Sequence, residues 1–202
     1  MSQSPSTTSF THVVLSLLLV MLAAAPPPAF AQGGAGVEYR VLATTKTSTM
    51  EKELNEAAEA GYRFDAVMGG ETAAGGKEAV AVVSRRAGAT GRYSYRLLAT
   101  NRTSTMEKEL REAAALGFEY RAQTVFKSLF GGEEVVCILE RDQDAEGGPS
   151  DYRLVATSKT STFEKELGEA GAAGYEMMGM TVGKTALGGS EMVAIMRRTT
   201  AK

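Results

Sequence analysis

The chain has little of what most enzymes and disulfide-stabilised exported domains depend on. It contains no tryptophan, one cysteine and one histidine. The lone cysteine, Cys137, excludes an intramolecular disulfide. The histidine, His12, lies in an N-terminal leader, and histidine is the commonest general base and metal ligand at neutral pH. We therefore predict no enzyme, no catalytic residue, no metal site and no cofactor.

An excess of either charge is also missing. Lysine and arginine total 22, and aspartate and glutamate total 24, which leaves a net charge of -2. The two signs are interspersed, with no large block of one sign. A nucleic-acid-binding domain needs a basic stripe or patch, so we predict that nucleic acid is not a partner.

The N-terminal residues have the pattern of an export signal. An apolar run that ends at Ala25 is too short to span a bilayer. Three prolines follow, and Ala29-Phe30-Ala31 then offers the small residues at which a signal peptidase cleaves. We predict a signal peptide over 1–31, a mature chain that is periplasmic or secreted, and no membrane attachment after cleavage. The segment before Phe10 carries no lysine or arginine, which leaves an uncleaved anchor as the alternative.

The rest of the chain repeats one motif three times. Tyr39-Arg40-Val41-Leu42-Ala43-Thr44 returns about every 56 residues, and each copy is followed by a basic residue, Thr-Ser-Thr and Glu-Lys-Glu-Leu. The copies align without internal insertion or deletion, and length varies only in the linkers. We predict an N-terminal tail over 32–38 and repeat modules over 39–86, 95–142 and 152–199.

Each module has the pattern of strand, helix, strand and strand. The opening Tyr-Arg segment is short and β-prone. Ser48 and Glu51 have the spacing of a capping box, which predicts the helix start. Gly61 predicts the helix end, because a residue at this position adopts positive φ. The second strand follows, where Phe64 and Ala66 alternate with polar residues and predict one wet face.

The third strand predicts how the modules pack. In the second module it reads Val135-Val136-Cys137-Ile138-Leu139, which is apolar on both faces. Such a strand belongs in the middle of its sheet, between the two strands joined by the helical crossover. The helix covers only one face, and a module of about 47 residues buries too little surface to stand alone. We predict an α+β fold of three tandem β-α-β-β modules, each a three-stranded sheet with one helix on one face. We expect the sheets to share a core in a pseudo-threefold arrangement.

Four features of each module are shared with a known family. They are a Tyr-Arg-x-Leu strand (Tyr-Arg-x-Val in the third copy), a Glu-Lys-Glu-Leu helix, a glycine followed by an aromatic residue, and a last strand that ends in arginine, as at Arg85. In these features the chain resembles the domain-of-unknown-function 4177 family of small bacterial proteins. That family typically has Gly-Trp-Glu after the helix; Gly117-Phe118-Glu119 and Gly174-Tyr175-Glu176 keep this pattern with the tryptophan replaced, and Gly61-Tyr62-Arg63 departs further. The resemblance implies a β-α-β-β fold and no established activity, so it assigns no catalytic residue.

The polar loop before each helix is the candidate binding site. It places a basic residue and two hydroxyl groups beside backbone N–H groups at a helix N-terminus, where the helix dipole favours an anion such as phosphate, sulfate or a carboxylate. The alternative is that the hydroxyl groups only cap the helix, and that the capping-box glutamate competes with an anion. The predicted site comprises Lys46, Thr47, Ser48, Arg102, Thr103, Ser104, Lys159, Thr160 and Ser161.

Methionine and cysteine are weaker candidates for chemistry. Thioether groups of the third module have the softness that Cu(I) prefers, but Met177, Met192 and Met196 align with apolar core positions of the other copies. Cys137 aligns with alanines and has no histidine nearby to activate it. We therefore interpret these four residues as core residues.

Two functions from different classes remain. The first is a noncatalytic interaction or scaffold protein of the bacterial envelope, which holds a protein or peptide partner and self-associates through apolar sheet faces. The second is a binder of a small anion or a phosphate-containing ligand, through the loops at the helix starts. An enzyme ranks third, because the mature chain lacks histidine and shows no nucleophile motif.

Overall fold

The computed structural model describes residues 36–71, 77–100, 102–127, 133–145, 148, 150–184 and 189–199. The predicted signal peptide over 1–31 and most of the predicted tail over 32–38 lie outside these residues. The elements in chain order are β1 (Val37–Thr44), α1 (Thr47–Glu59), β2 (Arg63–Glu71), β3 (Lys77–Arg86), β4 (Tyr93–Thr100), α2 (Thr103–Ala115), β5 (Glu119–Lys127), β6 (Glu133–Asp142), β7 (Ser150–Thr157), α3 (Thr160–Ala172), β8 (Glu176–Lys184) and β9 (Ser190–Thr199).

Each module forms its own three-stranded antiparallel sheet, with the third strand in the centre. The strand orders are β1-β3-β2, β4-β6-β5 and β7-β9-β8. The registers are equivalent between modules, so that Leu42 lies opposite Ala81 in the first sheet and Leu98 lies opposite Cys137 in the second. The predicted α+β fold of three β-α-β-β modules is therefore confirmed, with the third strand central as expected.

All three helices end in the conformation that their glycines predict. Gly61, Gly117 and Gly174 have φ angles of 85°, 83° and 82°. In the first module the Gly61 N–H bonds to the carbonyl of Ala58 at 2.9 Å, and the Tyr62 N–H bonds to the carbonyl of Ala57 at 3.0 Å. The equivalent bonds are present in the other two modules. These bonds form a Schellman motif, which satisfies carbonyl groups at the helix end.

The aromatic residue after each glycine is covered by an arginine near the end of the central strand. The Arg85 guanidinium lies 4.7 Å from the centre of the Tyr62 ring, and its Nη1 donates to the carbonyl of Ala60 at 3.1 Å. Arg198 makes the same two contacts, with Tyr175 and the carbonyl at the end of α3. Two of the features that carry the family resemblance are thus explained by a cation–π contact and a helix C-cap.

A β-bulge in each second strand reverses the predicted alternation. The pairing register shifts between Phe64 and Ala66, and equivalent shifts follow Tyr120 and Met177. Phe64 is buried in the core, whereas Ala66 is exposed. The prediction that these two residues share a face is wrong, because the extra residue of a bulge moves the following residues to the opposite face.

The central strands are buried on both faces only where another module covers them. In β3, Ala81 and Val83 pack with residues of α1 and are buried, whereas Val80 and Val82 on the opposite face are partly exposed. In β6, every residue over 135–140 is buried. The second face of the middle sheet is therefore closed, and that of the first sheet is open.

The modules share cores in series along the chain. Buried residues of the first module form one cluster with Tyr95, Val136 and Ile138 of the second. Buried residues of the second module form another with Tyr152 and Ile195 of the third. A third cluster belongs to the third module alone. The predicted sharing of cores is confirmed.

The arrangement of these contacts is linear rather than threefold. Helix α1 packs against β4 and helix α2 packs against β7. Within the described residues, α3 makes no comparable contact with β1. A pseudo-threefold arrangement would need that contact, so this part of the prediction is wrong. The physical reason is that α1 and α2 each pack against the module that follows, and within the described residues no module follows the third.

We predict that the stability of the fold depends on the buried stripe of each helix. Leu54 is 0% exposed in the first core, whereas Leu116, at the end of α2, is 57% exposed. The substitution Leu54→Ala is expected to lower the free energy of unfolding by about 2 to 5 kcal/mol, because it leaves a cavity. Leu116→Ala is the matched control, with an expected change within about 0.5 kcal/mol. Urea unfolding followed by circular dichroism measures both, and equal effects would contradict the prediction.

Candidate functional site

The predicted anion-site residues lie in three separate sets, one at the start of each helix. The N-cap residues are Lys46, Arg102 and Lys159, and none of the three helices has a side-chain capping hydrogen bond. The N–H of Lys46 donates to the hydroxyl of Thr44 at 3.2 Å, and the other two N-cap residues bond in the same way to the threonine two positions earlier. Ser48 is exposed. Each loop is thus shaped by a threonine turn.

The predicted capping box is absent from the first helix. Helix α1 begins at Thr47, one residue before Ser48, and no side chain caps it. The carboxylate of Glu51 instead accepts a hydrogen bond from the Leu97 N–H at 2.7 Å. Leu97 lies on an edge strand, where an unpaired backbone group buried under a helix is costly. The N–H groups at the exposed helix start can bind water, whereas the Leu97 N–H cannot. The Glu51 carboxylate therefore binds the strand edge and not its own helix.

This glutamate belongs to a contact that occurs twice, which we call the module junction. In the first junction, α1 and β2 pack against β4, β5 and the face of the second sheet opposite its helix. In the second junction, α2 and β5 pack against the same elements of the third module. Glu107 repeats the role of Glu51 there, since it accepts from the Leu154 N–H at 2.9 Å.

A second polar residue of each helix binds the backbone of the same strand edge. The side chain of Asn55 both donates to the carbonyl and accepts from the N–H of Tyr95, at 2.9 Å each. At the equivalent position of α2, Arg111 Nε donates to the carbonyl of Tyr152 at 2.8 Å. The two side chains differ in chemistry, but both satisfy main-chain groups that no strand pairs.

A buried tyrosine hydroxyl closes each junction. The Phe64 N–H, on the outer edge of β2, donates to the Tyr95 hydroxyl at 2.8 Å, and the Tyr120 N–H donates to the Tyr152 hydroxyl at 2.9 Å. Burial raises the pKa of Tyr95 and of Tyr152 above the usual range. The phenols therefore stay protonated at neutral pH, and Tyr95 also donates to Glu140 at 2.8 Å.

An ion pair crosses each junction, and the positions of the acidic and the basic residue are exchanged between the two junctions. In the first, Arg63 of β2 reaches Glu140 of β6 with a closest N–O distance of 2.8 Å. In the second, Glu119 of β5 meets Arg197 of β9 at 3.3 Å. Glu140 is buried, and its hydrogen bond to Arg63 raises the pKa of the guanidinium. The reversed signs match each module to its neighbour in the chain.

In the first module, residues of the first strand and of the sheet face opposite the helix are exposed or partly exposed, although the equivalent surface of the second module is covered at the first junction. We call this exposed surface the head face and define it by Tyr39, Val41, Val80 and Val82. Tyr39 is 66% exposed and Val41 is 63% exposed, whereas the equivalent Tyr95 of the second module is 4% exposed. No module precedes the first within the described residues, so nothing there covers these side chains.

In the third module, residues of the helix and of the second strand are exposed, although the equivalent residues of the first module are covered at the first junction. We call this exposed surface the tail face and define it by Glu164, Met177, Met180 and Val182. Met177 is 53% exposed, although the equivalent Phe64 is 2% exposed, and Met180 and Val182 are similarly open. The interpretation of Met177 as a core residue is therefore wrong, because its position is buried only when another module follows. Met196 is buried as expected.

Cys137 has the surroundings of a core residue. It is 0% exposed, and its sulfur lies 3.7 Å from that of Met106. Burial raises the pKa of the thiol to about 12, so the nucleophilic thiolate is scarce at neutral pH. Over the part of the chain that the structure describes, no group of three or more histidine, cysteine, aspartate or glutamate side chains could hold a metal ion.

The sequence contained an indication of the junction that pattern reasoning missed. The opening tyrosine and the first glutamate of Glu-Lys-Glu-Leu are identical in all three copies. By local pattern the tyrosine opens a strand and the glutamate caps a helix, which are roles within one module. A tyrosine retained where phenylalanine would fill the same space indicates a use for the hydroxyl. The partner of that hydroxyl lies in another module, so local pattern could not identify it.

We predict that the tyrosine hydroxyl stabilises the junction and has no such role at the open end. Tyr95→Phe leaves the Phe64 N–H without its partner and is expected to lower the free energy of unfolding by about 1 to 3 kcal/mol. Tyr39→Phe makes the same chemical change on the head face and is expected to alter stability by less than about 0.5 kcal/mol. Thermal and urea unfolding at high dilution compare the two variants. A loss of stability in Tyr39→Phe equal to that in Tyr95→Phe would contradict the assignment.

Comparison with known proteins adds no relative from which a role could be transferred. No family model matches the chain. No curated protein and no solved structure gives a significant match either. Within the described residues, no helix combines the length and the apolar character that crossing a membrane requires. The resemblance to the domain-of-unknown-function 4177 family stays a prediction.

Proposed function

We propose that the chain is a noncatalytic interaction or scaffold protein of the bacterial envelope, which holds a protein or peptide partner on its head face and tail face. One observation carries the proposal. Each open face is the residue-by-residue counterpart of a surface that is buried inside the chain at a module junction. Large apolar side chains such as Tyr39 and Met180 are more than half exposed there, and contiguous exposed apolar surface marks interaction sites.

The two faces suit partners of different kinds. The head face offers the outer edge of β1, the first strand of its sheet, beside the apolar side chains of Val41 and Val82. A partner for it brings an acceptor for the strand edge and an apolar surface. The tail face offers the carboxylate of Glu164 and two apolar side chains of β8. A partner for it brings an N–H edge and apolar side chains.

The proposed location rests on the N-terminal sequence. Residues 1–31 have the apolar run and the small-residue cleavage pattern of an export signal. The mature chain would begin at Gln32 and would be periplasmic or secreted. Because Cys137 is the single cysteine, this exported chain would be stabilised by packing and not by an intramolecular disulfide. An uncleaved anchor is the alternative, and N-terminal sequencing of the isolated protein distinguishes the two.

Capture from an envelope extract tests the interaction function. We expect the immobilised wild-type chain to retain a specific partner, and we expect Val41→Arg or Met180→Arg to reduce that retention at least about tenfold, because each places a charge on an apolar contact. Leu116→Arg is the matched control, since Leu116 is also exposed but lies on neither face. Retention that is equal in all four proteins, or no retention by the wild type, would contradict the proposal.

The binding of a small anion is the second candidate, and one observation favours it. The helix starts lack a side-chain cap. Two of the three glutamates expected to compete with an anion, Glu51 and Glu107, instead accept from the N–H groups of Leu97 and Leu154 at the junctions. The basic N-cap residues Lys46, Arg102 and Lys159 are exposed beside the helix N-termini, where the dipole favours negative charge.

A thermal-shift titration with phosphate and with sulfate tests this candidate. We expect a rise in the melting temperature that is lost when Lys46→Ala, Arg102→Ala and Lys159→Ala are combined, because bound ligand stabilises the folded state. The matched control combines Lys52→Ala, Lys108→Ala and Lys165→Ala, which removes three exposed lysines from the middle of the same helices. No rise in the wild type, or an equal loss in both triple variants, would contradict anion binding.

A further inference from the structure

The two open faces of one chain are the two halves of one interface. In each module junction, a helix and second strand pack against the first strand and sheet face of the next module. The tail face contains the first half, and the head face contains the second. From this we infer that the tail face of one copy of this chain binds the head face of another copy, with the geometry of the internal junction. The inference rests on the proposed interaction function and names its partner.

Two backbone hydrogen bonds of the internal junction can be repeated between chains. Glu164 occupies the position of Glu51 and Glu107, and within the described residues its exposed carboxylate has no partner. The Val41 N–H is the counterpart of the Leu97 and Leu154 N–H groups that those glutamates bind. Glu164 of one copy therefore accepts from Val41 of the next.

The tyrosine contact can be repeated as well. In both internal junctions, an N–H at the bulge of the second strand donates to a tyrosine hydroxyl. The bulge of β8 follows Met177, and the tyrosine of the head face is Tyr39. The Met177 N–H of one copy thus reaches the Tyr39 hydroxyl of the next, which buries a phenol that is now 66% exposed.

The apolar surfaces of the two faces are also complementary. Val80 and Val82 of the head face correspond to Val136 and Ile138, which are buried in the first shared core. Met177 and Met180 of the tail face supply the opposing side chains, and methionine adapts its shape to an irregular surface. Burial of these side chains supplies the favourable free energy of association.

Two contacts of the internal junction are missing between chains. Gly168 occupies the position of Asn55 and Arg111, and it has no side chain to bind a strand edge. Glu176 faces the position of Ser84, so the ion pair seen between Arg63 and Glu140 has no counterpart. The junction between chains is therefore weaker than those within a chain, and association depends on concentration.

The symmetry of the assembly follows from the difference between the two faces. A head face cannot bind a head face, because each lacks the helix carboxylate and the second-strand N–H that the other would need. Head-to-tail association is heterologous, and it generates an open filament or a closed ring rather than a twofold dimer. Repeat proteins normally end in modules with polar outer faces, whereas the head face and the tail face of the described modules carry exposed apolar side chains.

Light scattering coupled to size-exclusion chromatography tests the inference on the full purified chain. We expect the mass of the wild type to rise with concentration beyond that of a dimer. Val41→Arg blocks the head face and Met180→Arg blocks the tail face, so each variant alone is expected to stay monomeric. An equimolar mixture of the two is expected to give a dimer, because the intact tail face of Val41→Arg binds the intact head face of Met180→Arg. This dimer does not grow, because its two outer faces are both blocked. Leu116→Arg is the control and should associate as the wild type does.

Each other outcome overturns the inference. A wild type that stays monomeric over the concentration series excludes self-association, and if envelope capture persists, the proposed function stands with a different partner. A blocked variant that still dimerises alone shows an isologous contact rather than a head-to-tail one. A mixture that stays monomeric, with unchanged melting temperatures for both variants, shows that the two faces do not bind each other.

Discussion

The satisfaction of one strand edge by the helix of the preceding module is the interaction on which the arrangement depends. The first strand of each module lies at the edge of its sheet, so half of its main-chain groups have no strand partner. Glu51 and Asn55 bind these groups in the second module, and Glu107 and Arg111 bind them in the third. This places the helix across the boundary between two modules, where it covers its own sheet and seals the next one.

This arrangement also explains why the modules occur in tandem. A module of about 47 residues cannot bury enough apolar surface with one helix and one sheet. The next module adds Tyr95, Val136 and Ile138 to the first core. Each module thus buries more apolar surface when a neighbouring module packs against it, as in repeat proteins generally. The same logic leaves one unsatisfied surface at each end. On those surfaces Tyr39 and Met177 are more than half exposed, although the equivalent Tyr95 and Phe64 are buried.

Several of the ionisable and nucleophilic side chains have structural roles. The buried carboxylate of Glu140 is held by Arg63 and Tyr95, and the arginines that end the central strands cover aromatic rings and helix ends. Cys137 is a core residue with a raised pKa. Apolar side chains on the head face and the tail face, and the basic N-cap residues at the helix starts, are exposed to solvent.

The sequence by itself determined the repeat, the order of strand and helix, the glycine helix ends and the central third strand. These follow from local spacing and from hydrophobic pattern, and local forces decide them. Only the tertiary structure decided the linear order of the modules, the bulge that divides Phe64 from Ala66, and the role of Glu51. A glutamate three residues after a serine has the same local pattern whether it caps its own helix or binds another module. The choice between these roles depends on which N–H group is removed from water, and that is a property of the packed chain.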